Sequence, residues 1–576
     1  MKTLLAAVNS QYIHSCLAVW RLKAACDADC GEICVKEWNI NQQREHVFRE
    51  IYEIKPDVIG FSCYIWNIRY VLILAEDLKQ VLPESKIILG GPEVSFDSKK
   101  LMDKYSFIDA VIMGEGEQSL PELLKQLNQS QTAAEIPGTV IRQNDKIFTY
   151  GDYQFLSNFS AVPSPYTAEM LEETKGKIIY YESTRGCPFR CAYCLSQIGK
   201  GVREIPTEQV CKDIEKFQKA GLKLLKFVDR TFNCNPARTL TLWKYIQKLD
   251  CDMCFHFEIG GDLLDRKQLS VLKNMPAGRV QLEIGIQSTN LQVLDNVCRK
   301  TDWNKLKENA AELISYGNIH IHLDLIAGLP GEDFQSFRNS FNEVYALHPH
   351  DLQLGFLKLI KGSRLRSQAD ENGCLYRRET PYEVLQTKDI SAGELLRLKD
   401  IEEVLERFYN SGKFVRSLIY LENFFSSPFD FYEMLSKFHS DNGFLHRPMS
   451  AAAQYEALYT FALPYLKEEQ TKYLHTLLKF DYLVSGLTGK TPEFFSKDNV
   501  TFSSKEWSSA FLSHDGFELH GLQRPSGVRE MNQHYRFEFF QINPVYLTDE
   551  PVVIVFDRCH KNAVTGLLRY ELISIV

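Results

Sequence analysis

The feature that most constrains this chain is a run of three cysteines, Cys187, Cys191 and Cys194, spaced C-x3-C-x2-C just after the β-branched and aromatic residues 178–181. Soft thiolate sulfur suits iron, and three thiolates on one short loop can each hold one iron of a cubic 4Fe-4S cluster. The usual ferredoxin run supplies four cysteines, so a three-cysteine loop leaves one iron open to bind a small molecule. A zinc loop, or chance clustering in a chain with 15 cysteines, is the competing reading. A strand before the loop, Gly186 and Pro188 at its turn and Tyr193 directly before the last cysteine favour the cluster.

Composition sets the surroundings. A chain of 576 residues is too long for one core and implies about three domains. Its 44% hydrophobic and 24% charged residues are those of an ordinary globular protein. A net charge of −8 argues against nucleic acid as the main partner. No apolar run reaches the roughly 20 residues that span a bilayer, so no membrane role is expected. Asn9, Ser10 and Gln11 cut the first apolar stretch short of an export signal, which makes the cytoplasm, with reduced thiols, the expected location.

Residues 1–150 alternate short apolar strands (3–8, 33–38, 57–63, 86–89, 109–113) with helices (15–25, 46–54, 68–81, 118–127). The pattern predicts an α/β domain, a doubly wound, flavodoxin-like parallel sheet that binds ligands at the carboxyl ends of its strands. Those ends carry Gly60 and Ser62, then Gly90, Gly91 and Glu93, then Gly114, Glu115, Gly116 and Glu117. Glycine there lets a backbone approach a ligand closely. No G-x-G-x-x-G follows the first strand, which argues against a dinucleotide. A hairpin turning at Asn144 and Asp145 ends the domain, and residues 151–177, with Pro163 and Pro165, read as a linker. Cys26, Cys30 and Cys34 imitate a second cluster motif, but Cys34 falls inside a predicted strand, so the run is coincidental.

Residues 178–386 resume the alternation, with strands at 224–229, 254–259, 280–287, 319–327 and 353–358 besides the one before Cys187. Six βα units are two short of a closed barrel, so a partial, laterally open (β/α)6 barrel is expected. Its strand ends carry the run 229–233 (Asp-Arg-Thr-Phe-Asn), Glu258, Glu283, Gln287 and the run 324–332. Residues 387–576 read as a mixed α/β accessory domain, with helices at 394–409 and 456–478 and strands at 537–540, 552–556 and 567–575, and no motif there names a chemistry.

The cysteine loop with Tyr193, the six βα units and the glycine-rich strand ends together resemble the radical S-adenosylmethionine (SAM) enzymes whose barrel follows a cobalamin-binding domain. The run 229–233 and the long C-terminal region are similar to a branch with an extra DUF4080-type domain. The resemblance implies three cofactors. Cys187, Cys191 and Cys194 would ligate a 4Fe-4S cluster. Glu258, Glu283 and Gln287 would contact the ribose or methionyl part of SAM, with the backbone at Tyr193 and Ile326 holding adenine. Ser62, Gly90, Gly91, Glu93, Gly114, Glu115, Gly116 and Glu117 would bind cobalamin. The histidine motif D-x-H-x-x-G is absent, so no histidine is expected on cobalt, and His14 reads as a polar loop residue. The implied activity is methylation of an unactivated carbon in a small-molecule or peptide substrate, with an electron from an external flavodoxin- or ferredoxin-type donor. A radical cyclase or rearrangement enzyme, a tRNA methylthiotransferase and a cobalamin-binding sensor remain as alternatives. The C-terminal region is expected to cover the open side of the barrel.

Overall fold

Near-continuous apolar strands build the first sheet of the computed structural model, which describes residues 1–129, 135–199, 201–497 and 521–574. Strands β1 (Lys2–Asn9), β2 (Glu32–Asn39), β3 (Val58–Ser62), β4 (Lys86–Gly90) and β5 (Ala110–Ile112) lie parallel in the order β2-β1-β3-β4-β5. Helices Leu17–Ala25, Arg44–Ile54, Ile68–Val81 and Ser98–Lys104 make the crossovers, Gly116–Asn128 leads from β5 into the hairpin that follows, and β3 and β5 are buried along their whole length. The five parallel strands are the expected sheet, and the expected hairpin extends it. The hairpin of β6 (Thr139–Gln143) and β7 (Lys146–Tyr150) adds to β5 antiparallel, turning through Asn144 and Asp145 at φ 46° and 62°. Helix Ser98–Lys104 was not anticipated, because only Ser98 and Met102 of its seven residues are buried and no period shows.

Residues 151–177 pack onto both neighbours. Gln154 bridges Met113 and Glu115 through its backbone, and the Phe159 ring lies 4.6 Å from both Arg21 and Arg185.

The second sheet is parallel throughout: β8 (Ile179–Tyr181), β9 (Leu224–Phe227), β10 (Cys254–Ile259), β11 (Val280–Gln287), β12 (His320–Ala327) and β13 (Asp351–Phe356) pair in sequential order. β8 and β13 do not pair with each other, so the barrel is open. Along β10 to β12 alternate residues such as Phe257, Ile284 and Leu323 are fully buried under the helices. The residues between them, His256, Glu258, Glu283, His322 and Asp324, line a polar interior face.

Helix Ala392–Phe408 lies along the free edge of β13. There Asn410 stands in for a missing strand: its side chain accepts from the Leu352 N–H (2.9 Å) and donates to the Leu352 carbonyl (3.0 Å). The single helix expected over 456–478 is two, Ala451–Ala462 and Glu468–Val484, split at the turn Leu463–Tyr465 by Pro464. A three-stranded antiparallel sheet, β14 (Tyr535–Phe540), β15 (Val552–Lys561) and β16 (Leu568–Ser574), ends the described chain. Residue 575, the last of the expected final strand, lies outside the described residues. No helix among the described residues is long and apolar enough to cross a membrane.

Candidate active site

The cysteine loop leaves β8 at the carboxyl end of the barrel and is held from several sides. Asp229, just past β9, accepts from the hydroxyls of Ser183 (2.7 Å) and Thr184 (2.8 Å) and from the Thr184 amide. Burial pushes its carboxyl up to about 6 even against these donors. The Ala192 N–H donates to the Val297 carbonyl (2.8 Å), and the Leu365 N–H donates to that of Ala192 (2.9 Å). All 15 cysteines are free thiols. Cys191 is buried, and Cys187 and Cys194 are half-buried. Each sulfur of the triad has its own polar neighbour: Thr231 Oγ1 at 3.5 Å from Cys187, the Ser196 N–H at 3.4 Å from Cys194, and Arg299 Nη1 at 3.9 Å from Cys191. Among the described residues no three His, Cys, Asp or Glu side chains converge to hold a single ion.

Beside the loop, a polar pocket of about 220 Å³ opens into the barrel, lined by Glu258, Glu283, Gln287, Asp324, Arg230 and Arg299 among others. Gln287 takes φ 75° where the register between β11 and β12 shifts, a bulge of the kind that re-aims a side chain. Burial alone would raise Glu283, but His256 (2.9 Å) and Lys226 (3.3 Å) hold its carboxyl down at about 2. Glu258, its register partner on β10, is pushed up to about 7 by burial, against the pull of Arg230. Of the expected SAM contacts, neither Tyr193 nor Ile326 lies on this wall, though the Tyr193 hydroxyl accepts from Arg299, a wall residue, at 3.4 Å. Arg230, Asp262, Arg299, Lys300 and Asp324 carry the wall's remaining charge and were not among the expected SAM contacts.

A larger, mainly apolar cavity of about 590 Å³ lies between the two sheets. Ser62, Gly90, Gly91, Gly114, Glu115, Gly116 and Glu117 line it from the first sheet. Tyr180, Glu182, Arg185 and Val228 line it from the barrel. Gly91 and Gly114 are required locally: both have positive φ (112° and 89°), and a β-carbon would strike the Cys63 backbone at 2.5 Å in one case and the Gln154 carbonyl in the other. Gly90 is different. Its φ is ordinary and the nearest atom to a β-carbon would be 4.0 Å away, so its missing side chain leaves open the cavity itself.

The two acids of the Gly114 turn are already paired. Arg203 grips Glu115 with both terminal nitrogens (2.7 and 2.6 Å), and Arg185 reaches Glu117 (2.8 Å) and Glu182 (2.8 Å). Glu93 is not on the cavity wall. It is buried against Lys361 (3.0 Å) and the Tyr382 hydroxyl from the barrel side. His14 is on the wall, in the loop after β1, with Nδ1 at 2.5 Å from the Tyr180 hydroxyl.

Three family models match the chain: "B12 binding domain" over residues 4–124, "Radical SAM superfamily" over 181–344 and "Protein of unknown function (DUF4080)" over 370–556. The cobalamin-dependent radical SAM methyltransferase TokK of Streptomyces tokunonensis is 26% identical over 346 residues, covering 54% of this chain and 48% of TokK. The hopanoid C-3 methylase of Methylococcus capsulatus is 26% identical over 286 residues, covering 48% of this chain and 54% of that protein. The chain thus spans about half the length of these relatives. Among solved structures, the cobalamin-dependent SAM radical enzyme OxsB with aqua-cobalamin bound superimposes with a TM-score of 0.58 at 14% identity, over 84% of this chain and 80% of that one. That likeness is one of fold.

Proposed function

We propose that this chain, which carries B12-binding, radical SAM and DUF4080 domains in that order, is an enzyme that methylates an unactivated carbon of a small-molecule or peptide substrate, using a 4Fe-4S cluster, SAM and cobalamin. One observation carries the reading: the large cavity takes one wall from each domain, and Arg185 on the barrel wall is two residues from Cys187. Transfer of a group between two cofactors needs such a common space.

In this reading Cys187, Cys191 and Cys194 hold three irons. Glu258, Glu283 and Gln287 accept hydrogen bonds from the ribose or ammonium of SAM, and Arg230 and Lys300 offer charge for its carboxylate. Tyr193 and Ile326 supply backbone near adenine. Ser62, Gly90, Gly91, Gly114 and Gly116 give cobalamin a wall of backbone and small groups. Glu115 and Glu117 hold the turn in place through Arg203 and Arg185. Glu93 ties the turn after β4 to the barrel. His14 is occupied by Tyr180 at Nδ1, and no histidine is assigned to cobalt. When bound, the cluster and SAM supply a carbon radical and cobalamin a transferable methyl group, while the protein orients them and excludes water. The electron comes from an external flavodoxin- or ferredoxin-type donor.

The test is anaerobic incubation of cluster-reconstituted, cobalamin-loaded protein with SAM and dithionite. The expected products are 5′-deoxyadenosine and S-adenosylhomocysteine. Fully loaded protein that makes no 5′-deoxyadenosine would overturn the radical reading. Formation of 5′-deoxyadenosine with cobalamin that is never methylated would turn it toward a cyclase or rearrangement enzyme.

A further inference from the structure

Arg299 is held against the cysteine loop at some cost. Its Nη1 lies 3.9 Å from Cys191 Sγ and 3.4 Å from the Tyr193 hydroxyl, and its Nη2 donates to the Gly285 carbonyl near the end of β11. The guanidinium is therefore clamped between a barrel strand and the loop. It is delivered there by the residue before it, Cys298, which takes φ 55°, a conformation that residues with a β-carbon rarely adopt. The Arg299 backbone N–H ties this turn back to the Leu294 carbonyl (2.8 Å). Its Nε is buried without a hydrogen-bond partner among the described residues. A strained turn and an unmet donor both oppose folding. The neighbours of the other two sulfurs, the Thr231 hydroxyl and the Ser196 amide, are neutral. Among the described residues, Cys191 is the one sulfur of the triad that accepts a hydrogen bond from a cationic side chain.

We propose that Arg299 sets the reduction potential of the cluster held by Cys187, Cys191 and Cys194, raising it through a positive charge and a hydrogen bond at Cys191. The inference rests on the cluster reading above. One-electron reduction adds negative charge to the cluster, and the potential follows net charge, hydrogen bonds to sulfur and exposure. A guanidinium stays charged at any pH the protein survives, and its effect is larger in a half-buried site than in water. Arg299 is thus a positioning residue acting through Cys191.

The experiment is redox potentiometry followed by electron paramagnetic resonance on the full-length, cluster-reconstituted protein without SAM, comparing wild type, R299K and R299Q. In R299Q the reduced-to-oxidised ratio at a fixed potential should fall about tenfold, which for one electron corresponds to about 59 mV. R299K, which keeps the charge, should lie closer to wild type. An R299Q potential equal to wild type, with only SAM affinity lost, would overturn the proposal and leave Arg299 as a ligand for SAM. Should R299Q hold no cluster, wild-type protein labelled with ¹⁵N-arginine decides: a ¹⁵N hyperfine coupling to the reduced cluster supports the proposal and its absence overturns it. Wild-type protein that takes up no reducible 4Fe-4S cluster would instead defeat the underlying reading, a result distinct from any of these.

Discussion

Glu258 and Glu283 face one another across β10 and β11, yet their surroundings pull them apart: Glu283 is held down at about 2, while Glu258 is raised to about 7. Two like groups separated in this way mark a site where charge is controlled. Below about pH 7 Glu258 carries a proton and accepts hydrogen bonds poorly; above it the carboxylate accepts strongly. SAM affinity should therefore rise between about pH 6 and 8, by roughly three- to tenfold. Glu258→Gln should abolish that rise, as read by equilibrium binding across the range. The same raised value carries a stability term: Glu258 favours the fold most below its ordinary value near 4.5, and that contribution is lost as pH climbs through about 7. At the residue scale, sequence spacing shows that the three cysteines share one short loop, and the structure keeps them there beside β8. Arg299 was not legible, since its place depends on the turn at Cys298 and on contacts made by folding. Glu93 also sits at a strand end, but it lies off the cavity wall against Lys361, 268 residues away, a contact that no local pattern marks.

Elements were read well where one local rule decides them. The helix Ile68–Val81 and the strands Cys254–Ile259 and Val280–Gln287 follow from their apolar period. The Asn144–Asp145 turn follows from its dipeptide, but the pairing of its hairpin onto β5 does not, because register between distant strands leaves no local mark. Pro464 divides the expected helix over 456–478, because its ring and missing N–H stop the helical hydrogen-bond ladder there. The turn after β5 is where element geometry bears most on function. Gly114→Ala would put a β-carbon onto the Gln154 carbonyl and impose a left-handed conformation on alanine. The turn must shift, carrying Glu115 and Glu117 with it, and hydroxocobalamin affinity measured by absorbance should fall at least about tenfold, which corresponds to about 1.4 kcal/mol. Unchanged affinity would remove this turn from the binding wall.

At the scale of the whole molecule, the N-terminal sheet is fastened to the barrel by charge. Arg203 and Arg185 grip the Gly114 turn beside the cysteine loop, Lys361 grips Glu93, and Arg21 reaches Glu182 at 2.9 Å. Removing one partner of such pairs leaves an uncompensated charge, so the arrangement is costly to open. The order of domains was readable from the chain, but the way they face one another was not, because these contacts join residues far apart in sequence. The central claim is that cobalamin sits in the shared cavity, beside the cluster. The most direct measurement is the electron paramagnetic resonance spectrum of one protein sample holding both the reduced cluster and cob(II)alamin. Magnetic coupling between the two spins, seen as splitting or broadening absent from either cofactor alone, is the predicted result. A spectrum that is the plain sum of the two separate signals would contradict it.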